Sequence, residues 1–168
     1  MIDLYKCYIK PKELLSPGNN PKACFNYACA IEKRFLAGED AIATKPRISG
    51  LYAQHILKGP FKKGEPAIAK EAEVAYSYAR DVLHGPFPLG EDIIATHPAY
   101  SYRYASEILK SPFIKGEKAI ATSGHYSYYY AMNVLKKSFP AGEQAMQNFI
   151  DWEQEMKYYE LTGKWLNN

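Results

Sequence analysis

The chain has 168 residues, 47% of them hydrophobic and 23% charged, with a formal net charge of +3, a composition that fits one folded domain and excludes disorder. So small a positive excess excludes polyanion binding by overall charge alone, and no apolar stretch approaches the roughly 18 residues of a membrane span. The three cysteines, Cys7, Cys24 and Cys29, form no Cys-x-x-Cys pair, which excludes a disulfide framework and a zinc knuckle and fits reduced thiols.

Met1 to Lys6 contains no basic segment followed by an apolar run, so a cytoplasmic chain without a cleaved signal is expected. Residues 1–20 read as an N-terminal cap. Glu13 stands 26 residues before Glu39, which makes Met1 to Ser16 a half repeat, and Ser16-Pro17-Gly18-Asn19-Asn20-Pro21 is a turn-rich linker.

From residue 21 the sequence is periodic. Gly-Glu recurs at Gly38-Glu39, Gly64-Glu65, Gly90-Glu91, Gly116-Glu117 and Gly142-Glu143, a step of 26 each time. Phe35, Phe61, Phe87, Phe113 and Phe139 precede the glycines by three, and Tyr-Ala begins at Tyr27, Tyr52, Tyr78, Tyr104 and Tyr130. Five repeats result, 21–45, 46–71, 72–97, 98–123 and 124–148, closed by a C-terminal cap over 149–168. The fold class expected is an all-α solenoid of long-helix/turn/short-helix units, in which stacking buries one continuous core.

Repeat one lacks one residue between Tyr27 and Phe35, and repeat two has Gly50 where its successors have Tyr76, Tyr102 and Tyr128. Repeat three is typical. Ala75, Tyr78, Ala79, Val82 and Leu83 share one helical face, and the helix is expected to run from Ala72 to His84. Gly85-Pro86, like Gly59-Pro60, is expected to end it, with glycine in the left-handed conformation. A short helix then starts at each Gly-Glu, its glutamate facing the positive end of the dipole, and the phenylalanine plugs the turn. In repeat five this short helix, having no turn signal after it, is expected to run on from Glu143 to Leu161. Leu161 and Trp165 lie 26 beyond Leu135 and Phe139 and mark a partial sixth repeat, with Gly163 at the stop.

The histidines His55, His84, His97 and His125 sit at different stations, and no phosphate loop or nucleophile motif is present. We therefore expect no metal, no cofactor, no catalytic residue and no enzymatic activity. The repeated glutamates are explained by helix starts.

Two surfaces remain. Lys33, Lys58, His84, Lys110 and Lys136 form a row at the ends of the long helices, which favourable dipole interaction accounts for. The alternative is phosphate binding by Lys58, Lys62, Lys63, Lys110, Lys115 and Lys136. The second surface comes from the 15 tyrosines. Tyr52, Tyr78, Tyr104 and Tyr130 belong to the core, whereas Tyr76, Tyr100, Tyr102, Tyr126, Tyr128 and Tyr129, with Arg103, form an edge strip suited to binding a partner.

Written out from Tyr52 to Ala69, the pattern Tyr-Ala-x-x-(Ile/Val)-Leu-Lys-Gly-Pro-Phe-x-x-Gly-Glu-x-x-Ile-Ala resembles tandem-repeat accessory proteins of tailed, T4-like bacteriophages over about Tyr27 to Ala145. The resemblance implies a phage protein in the host bacterial cytosol, binding and inhibiting a host protein such as a defence factor. It carries over no catalytic residue. The function expected is non-enzymatic protein binding, with nucleic-acid or nucleotide-messenger binding through the lysines and tyrosines as the alternative; no membrane partner is expected, and the oligomeric state stays open.

Overall fold

A computed structural model describes residues 17–167; the half repeat expected over Met1 to Ser16, and Cys7 with it, lie outside these residues. The described chain is an all-α solenoid. Its long helices begin with α1 (Pro21–Ile31), α3 (Pro46–Leu51), α5 (Ala72–Tyr78), α7 (Pro98–Arg103) and α9 (Gly124–Tyr129). The short ones are α2 (Glu39–Ile42), α4 (Glu65–Ile68), α6 (Glu91–Ile94), α8 (Glu117–Ile120) and α10 (Glu143–Gln147), each entered through a single 3₁₀ turn, and α11 (Trp152–Thr162) caps the stack. From α1 to α9 each long helix packs on the next, and each also packs on the short helix of its own repeat.

The long helices are not α-helical throughout, as their spacing leads one to expect. After α3, α5, α7 and α9 they continue as π-helix over Tyr52–Leu57, Ala79–Leu83, Tyr104–Leu109 and Tyr130–Leu135. A π turn absorbs one extra residue while leaving the downstream chain in place. This explains repeat one, whose helix is one residue shorter and purely α. There the Lys33 N–H bonds the Ala28 carbonyl five residues back, whereas the Gly59 and Gly85 N–H groups reach Ala53 and Ala79, six back.

The helix stops also differ. The left-handed residue is Glu32, Lys58, His84, Lys110 or Lys136, all with φ near 50°, and the only glycines at positive φ among the described residues are Gly18 and Gly163. Gly59 and Gly85 follow the left-handed residue instead of supplying it.

The core is a ladder. Tyr52, Tyr78, Tyr104, Tyr130 and Tyr158 are buried, as are Ile42, Ile68, Ile94, Ile120 and Met146 at matching stations of the short helices. Each tyrosine hydroxyl accepts the backbone N–H of the phenylalanine in the repeat before it, Phe35, Phe61, Phe87, Phe113 or Phe139, at 2.8–3.2 Å. The same hydroxyl donates to the Gly-Glu carboxylate of that repeat, Glu39, Glu65, Glu91, Glu117 or Glu143, at 3.0–3.3 Å. The glutamates do start the short helices, but they also bind each repeat to the next. Among the described residues no buried side-chain polar atom is left without a partner.

The C-terminal cap departs from the expected course. Asn148 to Asp151 interrupt the helix expected from Glu143 to Leu161, because Asp151 caps α11 reciprocally with Gln154. These added residues move the sixth tyrosine to Tyr158, 28 after Tyr130. Leu161 is thereby exposed, Trp165 stacks on Tyr159 with ring centres 4.4 Å apart, and Leu166 is the residue buried at the phenylalanine station. Its N–H is taken by Glu155, which also accepts from Asn167; these bonds hold the Glu155 carboxyl below its usual range.

Burial first, and the neighbouring glutamate second, push the phenols of Tyr104 and Tyr158 up to about 12, and Tyr52, Tyr78 and Tyr130 are raised in the same way. An unfolded tyrosine ionises near pH 10, so above that pH the native chain holds more protons than the unfolded one. Stability conferred by the ladder is therefore expected to be intact below about pH 10 and lost as pH rises toward 12 and beyond. Urea unfolding at a series of alkaline pH values, followed alongside tyrosinate absorbance, checks this; ionisation of all the tyrosines without loss of helix would contradict it.

Candidate functional site

Two residues before each Tyr-Ala lies a second row, Phe25, Gly50, Tyr76, Tyr102 and Tyr128. Two of its tyrosines, placed at the surface by their spacing, are not there. Tyr76 is buried beneath Arg80, whose guanidinium carbon stands 5.1 Å from the ring centre, and its hydroxyl donates to Glu107 Oε2 at 2.5 Å. Tyr128 is 5% exposed and packs against Tyr129. Neither presents surface to a partner.

The remaining strip is real surface and more extensive than its tyrosines. Tyr102 lies 5.9 Å from Tyr126 and 6.3 Å from Tyr129, centre to centre, and accepts a hydrogen bond from Asn133. His125 is 4.8 Å from both Tyr126 and Tyr129 and touches Phe149 at 5.4 Å. These five rings are partly or fully exposed, Phe149 at 46%, and they form one connected patch from α7 across α9 to the loop after α10. Exposed Arg103 holds the station that Tyr129 holds one repeat later. Tyr100 lies apart, between His97 at 4.7 Å and Tyr76 at 5.7 Å.

Helical spacing does not single out His125 or Phe149. The sequence nevertheless carries a signal for them: Gly124 stands where repeats two and four begin with Pro46 and Pro98, and a Cβ there would come within 2.4 Å of the Ala145 carbonyl and of Phe149 Cβ. Only glycine allows the loop to bring Phe149 this close to α9.

The lysines do not act as one group. Lys62 pairs with Glu65, Lys63 with Asp40, and Lys115 with both Glu91 and Asp92. Lys58, Lys110 and Lys136 are exposed, have no ion pair among the described residues, and owe their alignment to the left-handed stops. Lys33 falls out of this row, since Glu32 takes its station. Among the described residues no group of three or more His, Cys, Asp or Glu could hold a metal ion, and no helix is long and apolar enough to cross a membrane.

No protein-family model, curated protein or solved structure matches the chain.

Proposed function

We propose that the chain is a non-enzymatic scaffold that binds a protein partner through the patch of Tyr102, His125, Tyr126, Tyr129 and Phe149, with Arg103 beside it. The observation that carries this reading is the connected set of partly and fully exposed rings running from repeat four to the C-terminal cap. Tyrosine offers large contact area at small entropic cost, and aromatic residues with arginine dominate the energetic centres of interfaces. In the setting implied by the phage-like repeat, the partner is a host protein in the bacterial cytosol, a defence factor being one such target, and inhibition follows from occlusion of its surface.

Binding of nucleic acid or a nucleotide messenger is the competing reading, favoured by Lys58, Lys110 and Lys136, which have no ion pair among the described residues. Three of the six candidate lysines are already neutralised by carboxylates, which weakens it. Affinity purification from host cells separates the two. The wild-type chain is expected to retain a specific protein, and Tyr126→Ala with Tyr129→Ala to weaken that complex about 30-fold or more, as loss of a central aromatic contact does. Recovery of nucleic acid instead, lost when Lys58, Lys110 and Lys136 are changed to Gln and insensitive to the tyrosines, would refute the protein-binding reading.

A further inference from the structure

The second aromatic row is broken once. Tyr76 and Tyr102 each place a ring against the following long helix, Phe25 and Tyr128 hold the same station, and Gly50 places no ring there. At that point the structure has an open cleft of about 190 Å³, lined by Gly50, Leu51, Gln54, Val74, Ser77 and Asp81.

The neighbouring repeats show what such a cleft accommodates. In two of the three repeats that carry the tyrosine, its hydroxyl meets a polar group 31 residues ahead: Tyr76 donates to Glu107 at 2.5 Å, and Tyr102 accepts from Asn133 at 3.0 Å. The group 31 residues ahead of Gly50 is Asp81. Its carboxylate is fixed by two hydrogen bonds from Arg80, at 2.6 and 2.9 Å, and keeps 27% of its side chain exposed. Apolar walls from Leu51 and Val74 and an ionised acceptor at one side form a receptor for a ring with a hydroxyl. An anionic ligand is disfavoured, because Asp81 and Glu73 face it and Arg47 at the rim is engaged by Glu73 and Glu71.

We propose that the cleft at Gly50 receives the tyrosine side chain of a partner polypeptide, its ring standing where Tyr76 and Tyr102 stand in their own repeats and its hydroxyl donating to Asp81. This rests on the reading that the chain binds a protein, and it adds a specific anchor, on repeats two and three, to the patch on repeats four and five. A phenylalanine would fill the same volume but make no hydrogen bond to Asp81.

The test uses the purified full chain and p-cresol, the side chain of tyrosine, followed by amide chemical shifts. Saturable shifts confined to Leu51, Gln54, Val74, Ser77 and Asp81 are expected. 4-Methylanisole, which has no hydroxyl to donate, is expected to bind about fivefold more weakly, and Asp81→Asn to weaken p-cresol by a similar factor while leaving 4-methylanisole unchanged, since a hydrogen bond to a charged acceptor outweighs one to a neutral acceptor. Gly50→Tyr restores the row and is expected to abolish binding; a Cβ at Gly50 lies 3.1 Å from Val74 Cγ1, so a small shift of Val74 admits it. If Gly50→Tyr does not fold, Asp81→Asn decides alone. Equal binding of the two probes, or no shifts at the solubility limit of p-cresol, overturns the proposal. So do shifts of the same amides that depend on protein concentration without any probe, which would assign the cleft to a second copy of the chain. No partner enters this titration, so its failure leaves partner capture by the Tyr102 patch intact, and failure of capture leaves the titration readable.

Discussion

Replacing Tyr78 by Phe is expected to destabilise the chain by about 1–3 kcal/mol, because one missing oxygen strands the buried Phe61 N–H and leaves Glu65 to Lys62 alone. Its hydroxyl accepts the Phe61 N–H at 2.9 Å and donates to Glu65 Oε1 at 3.0 Å. Phe61 is 2% exposed, so water cannot replace the hydroxyl at its N–H without opening the joint between repeats two and three. In a solenoid, stability is a sum of repeat and interface contributions, and weakening one interface uncouples the repeats on either side of it. Urea unfolding of Tyr78→Phe should therefore show a broadened or two-step transition with a smaller apparent slope as well as an earlier midpoint. Glu65→Gln in the same background should cost less than it does alone, since its neutral oxygen only weakens the bond that Tyr78→Phe has already removed. A loss under about 1 kcal/mol with strictly additive behaviour would mean that the ladder is ornamental to stability.

The second large effect is expected where phenylalanine meets glycine. A Cβ on Gly90 would lie 2.4 Å from Phe87 Cδ1 and 2.9 Å from Ala75 Cβ, distances that no packed core tolerates. Gly90→Ala should cost about 1–3 kcal/mol through overpacking. Phe87→Ala should cost about 3–5 kcal/mol, since it empties a site only 2% exposed. In the double variant the methyl of residue 90 enters space the ring has left, so the combined loss should fall short of the sum. Additivity within about 0.5 kcal/mol would show that the glycine is required for some other reason. This contact explains why Phe and Gly keep a spacing of three in every repeat: the ring lies directly on the glycine, and the small residue opposite, Cys24, Ser49, Ala75, Ser101 or Ser127, completes the fit.

Much of the fold is legible in the sequence because a repeat reports its own packing. Tyr-Ala, Phe and Gly-Glu recur at fixed stations, and a station filled identically five times is one whose neighbours are also identical. The π turns are not legible, since a π turn and an α turn differ by one residue and share the same apolar face; only comparison with the shorter α1 reveals the insertion. Sequence places the left-handed stop on Gly85 because glycine is the usual occupant, whereas His84 and three lysines carry the strain. The capping box at Asp151 and Gln154 is visible in the sequence, but a strict period of 26 running through it masks the stop it makes.

The candidate site is half legible. Tyr102, Tyr126, Tyr129 and Arg103 lie on the surface as spacing places them, while Tyr76 and Tyr128 do not, although they share the station of Tyr102. Local periodicity assigns a residue to a face of its own helix. Whether that face is covered depends also on the neighbouring repeat: Glu107 of repeat four, together with Arg80 four residues along, closes over Tyr76, and nothing closes over Tyr102 to the same extent.

The sequence by itself determined the all-α class, the unit, its number and the buried identity of Tyr52, Tyr78, Tyr104 and Tyr130, because these follow from spacing along one chain. Only the tertiary structure decided what the glutamates bind, which tyrosines remain outside, how Phe149 joins them, and that Gly50 leaves an open cleft facing Asp81. Those outcomes depend on contacts between residues 13 to 31 positions apart, brought together by stacking, and one-dimensional periodicity carries no record of which side chain fills the space between two helices.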